Sequence, residues 1–544
     1  MFSAKSKFTS ALFSQTDGSG LAFFRISFGF IMLWEVLRYF GKDWIQKYYI
    51  KPQFHFTYEW FPWVQPLPGD GMVYLFYLLG LLAIMIAAGF LYRAAAAAFF
   101  IVFTYVFLLE QARYLNHFYL VSLVSFLLIW IPAHRVFSVD SWRKKRTSPS
   151  KKRAVKNLSG KIPAETNRQT VPVWSLLLLR FQFGAVYFFG ALAKVNGDWL
   201  RGEPMRHWLA DETDFPLAGS LFTHEWMIYF VSYSGILIDL LAPLLLLFRQ
   251  TRFFMFLILL AFHLTNDTIF KIGIFPYFMM LASTIFFPAD WLRQMAALFH
   301  PRSAGKAAFI IAAGFAVAMA TSSLRENPEV IPIAVSFVAG GILAWTFLDL
   351  RNSAVGKKTT VKPALQPEVK LSTPHYICMA AMALWAAVQI ALPLRHYFIP
   401  GNVSWTEEGH RFAWHMKLRN KEGKIIFYAV EPSTGEKFPI EHTKILKSWQ
   451  RSKMSTRPYM IQQFAKYAGV QLRKQYNKDY EIKVDSRVSL NYRPYETMIE
   501  PDADLSKVTY SDFRHNNWIT LPELPPVNSI SLNPEETKNE VSEE

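Results

Sequence analysis

GMVYLFYLLGLLAIMIAAGFLYRAAAAAFFIVFTYVFLL, residues 71–109, decides the fold class. Its one charged residue is Arg93. Crossing the hydrocarbon core of a bilayer takes about 20 helical residues. The stretch therefore holds two spans, near 72–91 and 93–110. Working outward, similar apolar runs lie near 20–40, 115–132, 173–193, 226–248, 253–270, 272–288, 307–323, 331–349 and 375–393. The expectation is about eleven transmembrane helices, with the pair inside 253–288 the hardest to divide. No signal peptide is expected, because the first apolar run starts late, is long enough to span and contains Arg25 and Glu35.

Composition agrees. The 544 residues are 52% hydrophobic, 16% aromatic and 18% charged, with a mean hydropathy of +0.15. A soluble chain carries roughly 25% charged residues, and disordered, collagen-like and coiled-coil classes are excluded. The 48 Phe, 24 Tyr and 17 Trp suit aromatic belts at both membrane surfaces. A single cysteine, Cys378, rules out an intrachain disulfide and a cysteine-rich metal site.

The net charge of +17 is explained by topology rather than by nucleic acid, which is not an expected partner. Residues 133–170 hold 11 Lys and Arg against Asp140 and Glu165, and read as a flexible cytoplasmic loop. Four spans precede it, so the N-terminus is cytoplasmic too. The later inner turns carry Arg249, Arg252, Arg293, Arg302, Lys306, Arg351, Lys357 and Lys358. An odd number of spans then places everything after about residue 394 on the outer side.

That part has the grammar of a soluble domain. GHRFAWHMKLRNKEGKIIFYAV (409–430) alternates around Lys421-Glu422-Gly423, which reads as a hairpin turn. TRPYMIQQFAKYAGVQL (456–472) reads as an amphipathic helix capped by Thr456, with Pro458 in its first turn and Ile461, Phe464, Ala465, Ala468 and Leu472 on one face. YEIKVDSRVSLNYRP (480–494) is strand-like. The organisation expected is a membrane domain over 1–394, with an extra helical hairpin at about 306–350. An extracytoplasmic α+β domain rich in β-strands follows over 395–530, then a disordered acidic tail over 531–544.

Ionisable groups inside spans are costly and mark functional candidates. Here they are Arg25, Glu35, Arg180, Asp239, His263 and Asp267, with His117 and Lys194 near span ends. Each has an ordinary structural explanation. Arg25 and Glu35 pair with partners on neighbouring helices, Lys194 snorkels to the interface, and the histidines are hydrogen-bonded in the core. No HExxH or paired-carboxylate spacing is present, and no metal is expected. KPQFHFTYEWFPWVQPLPG (51–69) packs aromatics between prolines and cannot be one regular helix. It suits an interfacial anchor or a pocket wall for an aromatic lipid. In KVNGDWLRGEPMRHWL (194–209), Gly197 and Gly202 mark turns.

Several segments resemble, in order, the vitamin K-dependent γ-glutamyl carboxylase family. They are LAFFRISFGF (21–30), YLNHFYL (114–120), LLRFQFGAVYFFGALAKVNGDWLRGEPM (178–205), FHLTNDTIFKIGIFPYFMMLAS (262–283), LPLRHYFIPGNVSWTEEGHRFAWHMKL (392–418) and VSLNYRPYETMIEPDADL (488–505). The resemblance runs from about residue 20 to 520. Eukaryotic members have a longer C-terminal region and a disulfide between their two domains, which one cysteine cannot form. The propeptide-binding surface is accordingly not carried over. The short form looks bacterial, which implies an inner-membrane protein with a periplasmic outer domain.

The resemblance implies carboxylation of protein glutamate to γ-carboxyglutamate. Vitamin K hydroquinone, O2 and CO2 are the co-substrates, and the vitamin leaves as the 2,3-epoxide. The γ-hydrogen of glutamate is too weakly acidic for any side-chain base. Oxygenation of the quinol supplies a stronger one, an alkoxide, so the protein need only remove a hydroquinone proton. A neutral amine can do this, and burial favours the neutral amine.

Lys194 matches the family's general base, His117 its histidine of epoxidation, and Asn116 the residue beside it. His263 is a third catalytic candidate. His396, Tyr397 and Trp405 fall in the segment His396–Trp405 that resembles the family's glutamate-binding region, and Arg395 is a carboxylate partner by charge alone. The implied partners are a secreted or membrane-bound protein with Glu residues, the lipid quinone and the bilayer. The alternatives are a quinol epoxidase that does not carboxylate, and a non-enzymatic folding or lipid-handling protein. A transporter is disfavoured because no inverted repeat is evident.

Overall fold

The computed structural model describes residues 9–147, 170–215, 218–298 and 371–524. The expected hairpin at 306–350, most of the basic loop at 133–170 and the tail at 531–544 lie outside the described residues. So do the expected spans at 307–323 and 331–349.

Six described helices are long and apolar enough to cross a membrane: α1 (Ser19–Gly41), α2 (Gly71–Ala88), α5 (Val173–Lys194), α6 (Glu225–Leu245), α7 (Arg249–Phe270) and α9 (Thr373–Leu394). Three shorter apolar helices accompany them: α3 (Tyr92–Leu108), α4 (Asn116–Trp130) and α8 (Phe275–Ser283), the last running on as a 3-10 turn to Phe286. The protein is thus a polytopic helical membrane protein. Its helices keep large apolar side chains on their outer faces, such as Phe30, Tyr74, Leu81, Leu237, Leu244 and Leu384, which a soluble protein would hide. The segment between 253 and 288 divides at Lys271 and Gly273, both with left-handed backbone (φ 49° and 68°), which end α7 before α8 begins.

The chain forms two compact units. One comprises residues up to Phe189 together with Leu237–Leu392; the other comprises Gly190–Ile236 together with residues from Pro393 onward.

In the first unit, Phe24, Phe28, Phe99, Phe183 and Phe278 form a buried aromatic hub joining α1, α3, α5 and α8. Gly29 of α1 lies so close to α2 that a Cβ would meet Ala83 O at 2.6 Å. A small two-stranded ribbon pairs β1 (Gln15–Asp17) with β2 (Thr170–Pro172). Of the two buried charges on α1, Arg25 reaches a neighbouring helix as expected and Glu35 does not. Arg25 donates to four backbone carbonyls, those of Ala87, Ala133, Val136 and Phe137, at 2.6–3.2 Å. Glu35 pairs with Arg38 of its own helix at 2.6 Å. Helix ends and turns expose unpaired carbonyls, and a five-donor guanidinium can collect several of them.

In the second unit, an antiparallel sheet has the order β4–β3–β5–β6, with β3 Lys421–Val430, β4 Lys437–Ile440, β5 Glu481–Leu490 and β6 Glu496–Thr497. Helix α10 (Pro458–Tyr476) packs on it through Phe464 against Phe427, ring centroids 4.9 Å apart. The helix buries Ile461, Phe464, Ala465 and Ala468, while Leu472 is half-buried.

Two local expectations are corrected here. Lys421-Glu422-Gly423 is no turn; these residues begin β3 and pair with Leu490, Ser489 and Val488. Gly423 is needed because the backbone of Ser455 crosses it, with Ser455 O 2.3 Å from where a Cβ would stand. The hairpin turn lies later, between β3 and β4, around Gly435 (φ 73°). Thr456 does not cap α10: its hydroxyl donates to Lys453 O, and Arg457 occupies the cap position before Pro458.

Candidate functional site

The first unit holds Asn116, His117 and His263. Asn116 and His117 open α4, where an extended Leu115 turns the chain into the helix. Tyr114 donates its hydroxyl to Asn116 Oδ1 at 3.0 Å. His117 is buried, edge-on to Phe118 at 4.8 Å between centroids and 6.1 Å from the ring of Phe275. His263, also buried, sits 6.4 Å from the same Phe275 ring, edge to face. Phe275 thus joins two histidines that lie 146 positions apart in the chain.

His263 Nε2 is hydrogen-bonded to the hydroxyl of Tyr187 at 2.8 Å. One turn on, Asp267 accepts from Tyr277 at 2.7 Å. Residues four apart share a helix face, so α7 presents a buried polar stripe answered by two tyrosine hydroxyls. This is a buried aromatic region with a few polar groups held in fixed hydrogen bonds.

The second unit holds Lys194, Arg395, His396, Tyr397 and Trp405. Lys194 is the last residue of α5 and is 7% exposed. Its Nζ donates to Gly190 O at 3.1 Å and lies 5.9 Å from the Trp199 ring centre. It does not extend into water as a snorkelling lysine would. Trp199 is itself fixed by donating Nε1–H to Ser232 O at 2.9 Å. The turn after Lys194 is closed by Asn196, whose Oδ1 accepts from the amides of Asp198 and Trp199 while its Nδ2 donates to Ala193 O.

The expected substrate residues are held by their own unit. Arg395 donates to Arg411 O at 2.6 Å and lies 4.0 Å from Asp512. His396 Nδ1 bonds Pro393 O at 2.8 Å. Trp405 is 1% exposed and donates its indole N–H to Thr520 O at 3.0 Å. Tyr397 is largely exposed.

A buried polar cluster next to Trp405 escaped the sequence reading. Glu407 accepts from Arg419 at 2.5 Å and from Lys421 at 3.3 Å, and Lys421 also donates to Trp405 O at 2.5 Å. Burial works against the Glu407 carboxylate, but Arg419, Lys421, Arg457 and Arg411 outweigh it and hold the carboxyl at about 2. Burial pushes Lys421 down to about 7, with Glu407 opposing. His415 lies with ring centroids 4.8 Å from His396 and 4.9 Å from His410. Burial keeps His410 and His415 well below the usual histidine range, so both are neutral. The segment is strained: Glu407, Phe412, Trp414 and Lys417 all have positive φ. The signal was in the EEGHRFAWH string, where charged and aromatic residues alternate without a surface pattern. Among the described residues no group of three or more His, Cys, Asp or Glu is arranged to hold a metal ion.

A set of apolar helices of spanning length followed by a sheet-bearing C-terminal region defines a polytopic helical membrane protein. The model of the HTTM domain matches residues 13–291, more than half of the chain. The model of the vitamin K-dependent gamma-carboxylase, lumenal domain, matches residues 374–524. The chain belongs to the vitamin K-dependent gamma-carboxylase family. No solved structure matches it.

Proposed function

We propose that this protein carboxylates protein glutamate to γ-carboxyglutamate, coupled to oxygenation of vitamin K hydroquinone to the 2,3-epoxide. The observation that carries the reading is the burial of Lys194 at the end of α5, bound to Gly190 O beside Trp199, in a chain matched to the family over both parts. In this reading Lys194 takes the hydroquinone O–H proton as the general base. The resemblance implies for His117 a hydrogen bond to oxygen as charge develops, and for Asn116 a part in positioning the reactants. His263, bound to Tyr187, is a third catalytic candidate. O2 and CO2 complete the set of substrates, and no metal is invoked.

The topology that fits this chemistry has about eleven spans, a cytoplasmic N-terminus and a membrane domain over 1–394. Residues 395–530 form an extracytoplasmic domain, periplasmic for a bacterial inner-membrane protein. The quinone then arrives from the bilayer and the Glu-bearing protein from outside.

A second reading, quinol oxygenation without carboxylation, draws on the engagement of Trp405 and Arg395 with their own unit. One experiment separates the two. Purified protein is incubated with vitamin K hydroquinone, bicarbonate, O2 and varied Glu peptides; epoxide and a 44-Da mass gain on the peptide are measured together. Both products are expected. Epoxide alone across all peptides rejects the carboxylase reading and leaves the epoxidase; neither product rejects both.

A further inference from the structure

The turn at the end of β5 grips the loop that follows Lys194. Arg493 forms a two-pronged pair with Asp198, Nη1 to Oδ2 at 2.8 Å and Nη2 to Oδ1 at 2.6 Å. Asn491 adds a third bond to Asp198 Oδ2 at 2.7 Å. The pair is withdrawn from solvent, with the Arg493 and Asp198 side chains 6% and 13% exposed. Between these two residues, Tyr492 stacks its ring on His207 with centroids 3.6 Å apart.

The turn is itself bolted to the sheet. Asn491 exchanges two hydrogen bonds with the backbone of Asn420, and Ser489 donates to Arg493 O. On the other side, Asp198 adjoins Trp199, whose ring lies beside the Lys194 amine. A rigid strand end therefore reaches Lys194 through one ion pair and one tryptophan, across almost 300 positions of sequence.

We infer that Arg493 is a positioning residue for Lys194: through Asp198 and Trp199 it fixes where the amine stands. The inference rests on the proposed role of Lys194 as the base. Bidentate charge-assisted bonds fix direction as well as distance, and misplacement of a reacting group by about 1 Å costs on the order of 10²-fold in rate.

The test uses the full chain in detergent and compares wild type, Arg493→Ala, Arg493→Lys and Asp198→Asn. Lys478→Ala, which breaks the exposed pair with Glu431, serves as control. Two quantities are read: steady-state epoxide formation against hydroquinone concentration, and the rate at which acetic anhydride acylates Lys194, followed by peptide mass spectrometry relative to the exposed Lys474. Arg493→Ala is expected to lower kcat at least tenfold with KM for hydroquinone changed less than about twofold, and to change Lys194 acylation at least threefold. Arg493→Lys recovers part of both, Asp198→Asn follows Arg493→Ala, and Lys478→Ala matches wild type.

Wild-type kcat and acylation in Arg493→Ala overturn the inference, as does a fall in kcat with Lys194 acylation unchanged. If Arg493→Ala fails to fold, the near-isosteric Asp198→Asn decides on the same criteria. If wild type itself forms no epoxide, the functional reading fails, and the acylation rates alone decide whether Arg493 holds Lys194.

Discussion

Lys194 is the proposed base. Lys194→Ala is expected to abolish epoxide and γ-carboxyglutamate together, because both products follow from removal of the hydroquinone proton; a small exogenous amine should restore part of both by entering the vacated space. Near-normal epoxide in this variant removes Lys194 from the role of base.

The buried cluster of the second unit makes a separate claim, about acid. Glu407 is held at about 2 against an ordinary 4.5, so it stabilises the folded unit above pH 4.5 and loses that contribution as pH falls toward 2. The difference corresponds to about 3 kcal/mol. His410 and His415 act in the same direction: buried and neutral, they bind protons in the unfolded chain before the folded one, so stability falls as pH drops below about 6.5. Protection of the β3 amides against hydrogen exchange should therefore decline from pH 6.5 downward, more steeply below pH 4.5. In Glu407→Gln the steep lower part should vanish, with the unit already weakened at neutral pH. An acid profile identical to wild type contradicts this account. Sequence alone flagged His396 and Trp405 here but not Glu407 or Lys421. Their partners Arg419 and Trp405 converge on them only through a run of left-handed residues.

At the scale of elements, two glycines test the packing. Gly29 lets α1 and α2 meet at backbone distance, as small residues do between membrane helices. Gly423 lets β3 pass under Ser455 O. Neither has a positive φ, so the reason is space and not backbone freedom. Gly423→Ala forces apart β3 and the 455 backbone and is expected to cost about 3 kcal/mol in the second unit. Gly41→Ala, where the added methyl meets nothing within 4 Å, should be tolerated in thermal melts. Equal melting temperatures for the two variants would show that the crossing at Ser455 yields freely. The helices and α10 were legible because their apolar period is long and regular. The β3 misreading arose because a Gly between charged residues looks like a turn, and only the neighbouring chain reveals why it is glycine.

For the whole molecule the prediction concerns sidedness. In a Cys378→Ser background, cysteines placed singly in 133–170 and in 401–524 should react with an impermeant thiol reagent from opposite sides of the membrane, the first from the cytoplasmic face. Reaction of both from one side rejects the arrangement drawn from the Lys and Arg bias. With a single cysteine in the chain, reducing agents should leave activity unchanged. The class of molecule is legible along the chain: apolar runs of spanning length, a strand-and-helix region after 394 and the ordered motifs of a family. These signals are local, written in composition and period within about 20 residues. Partnership is not legible there and emerges with the folded chain. Arg25 takes backbone carbonyls, His117 and His263 meet at Phe275, and Arg493 reaches Asp198 from the far end of the chain. Such pairings depend on which distant segments share a dry interior, where every buried polar group must find a partner, and no period along the chain encodes that.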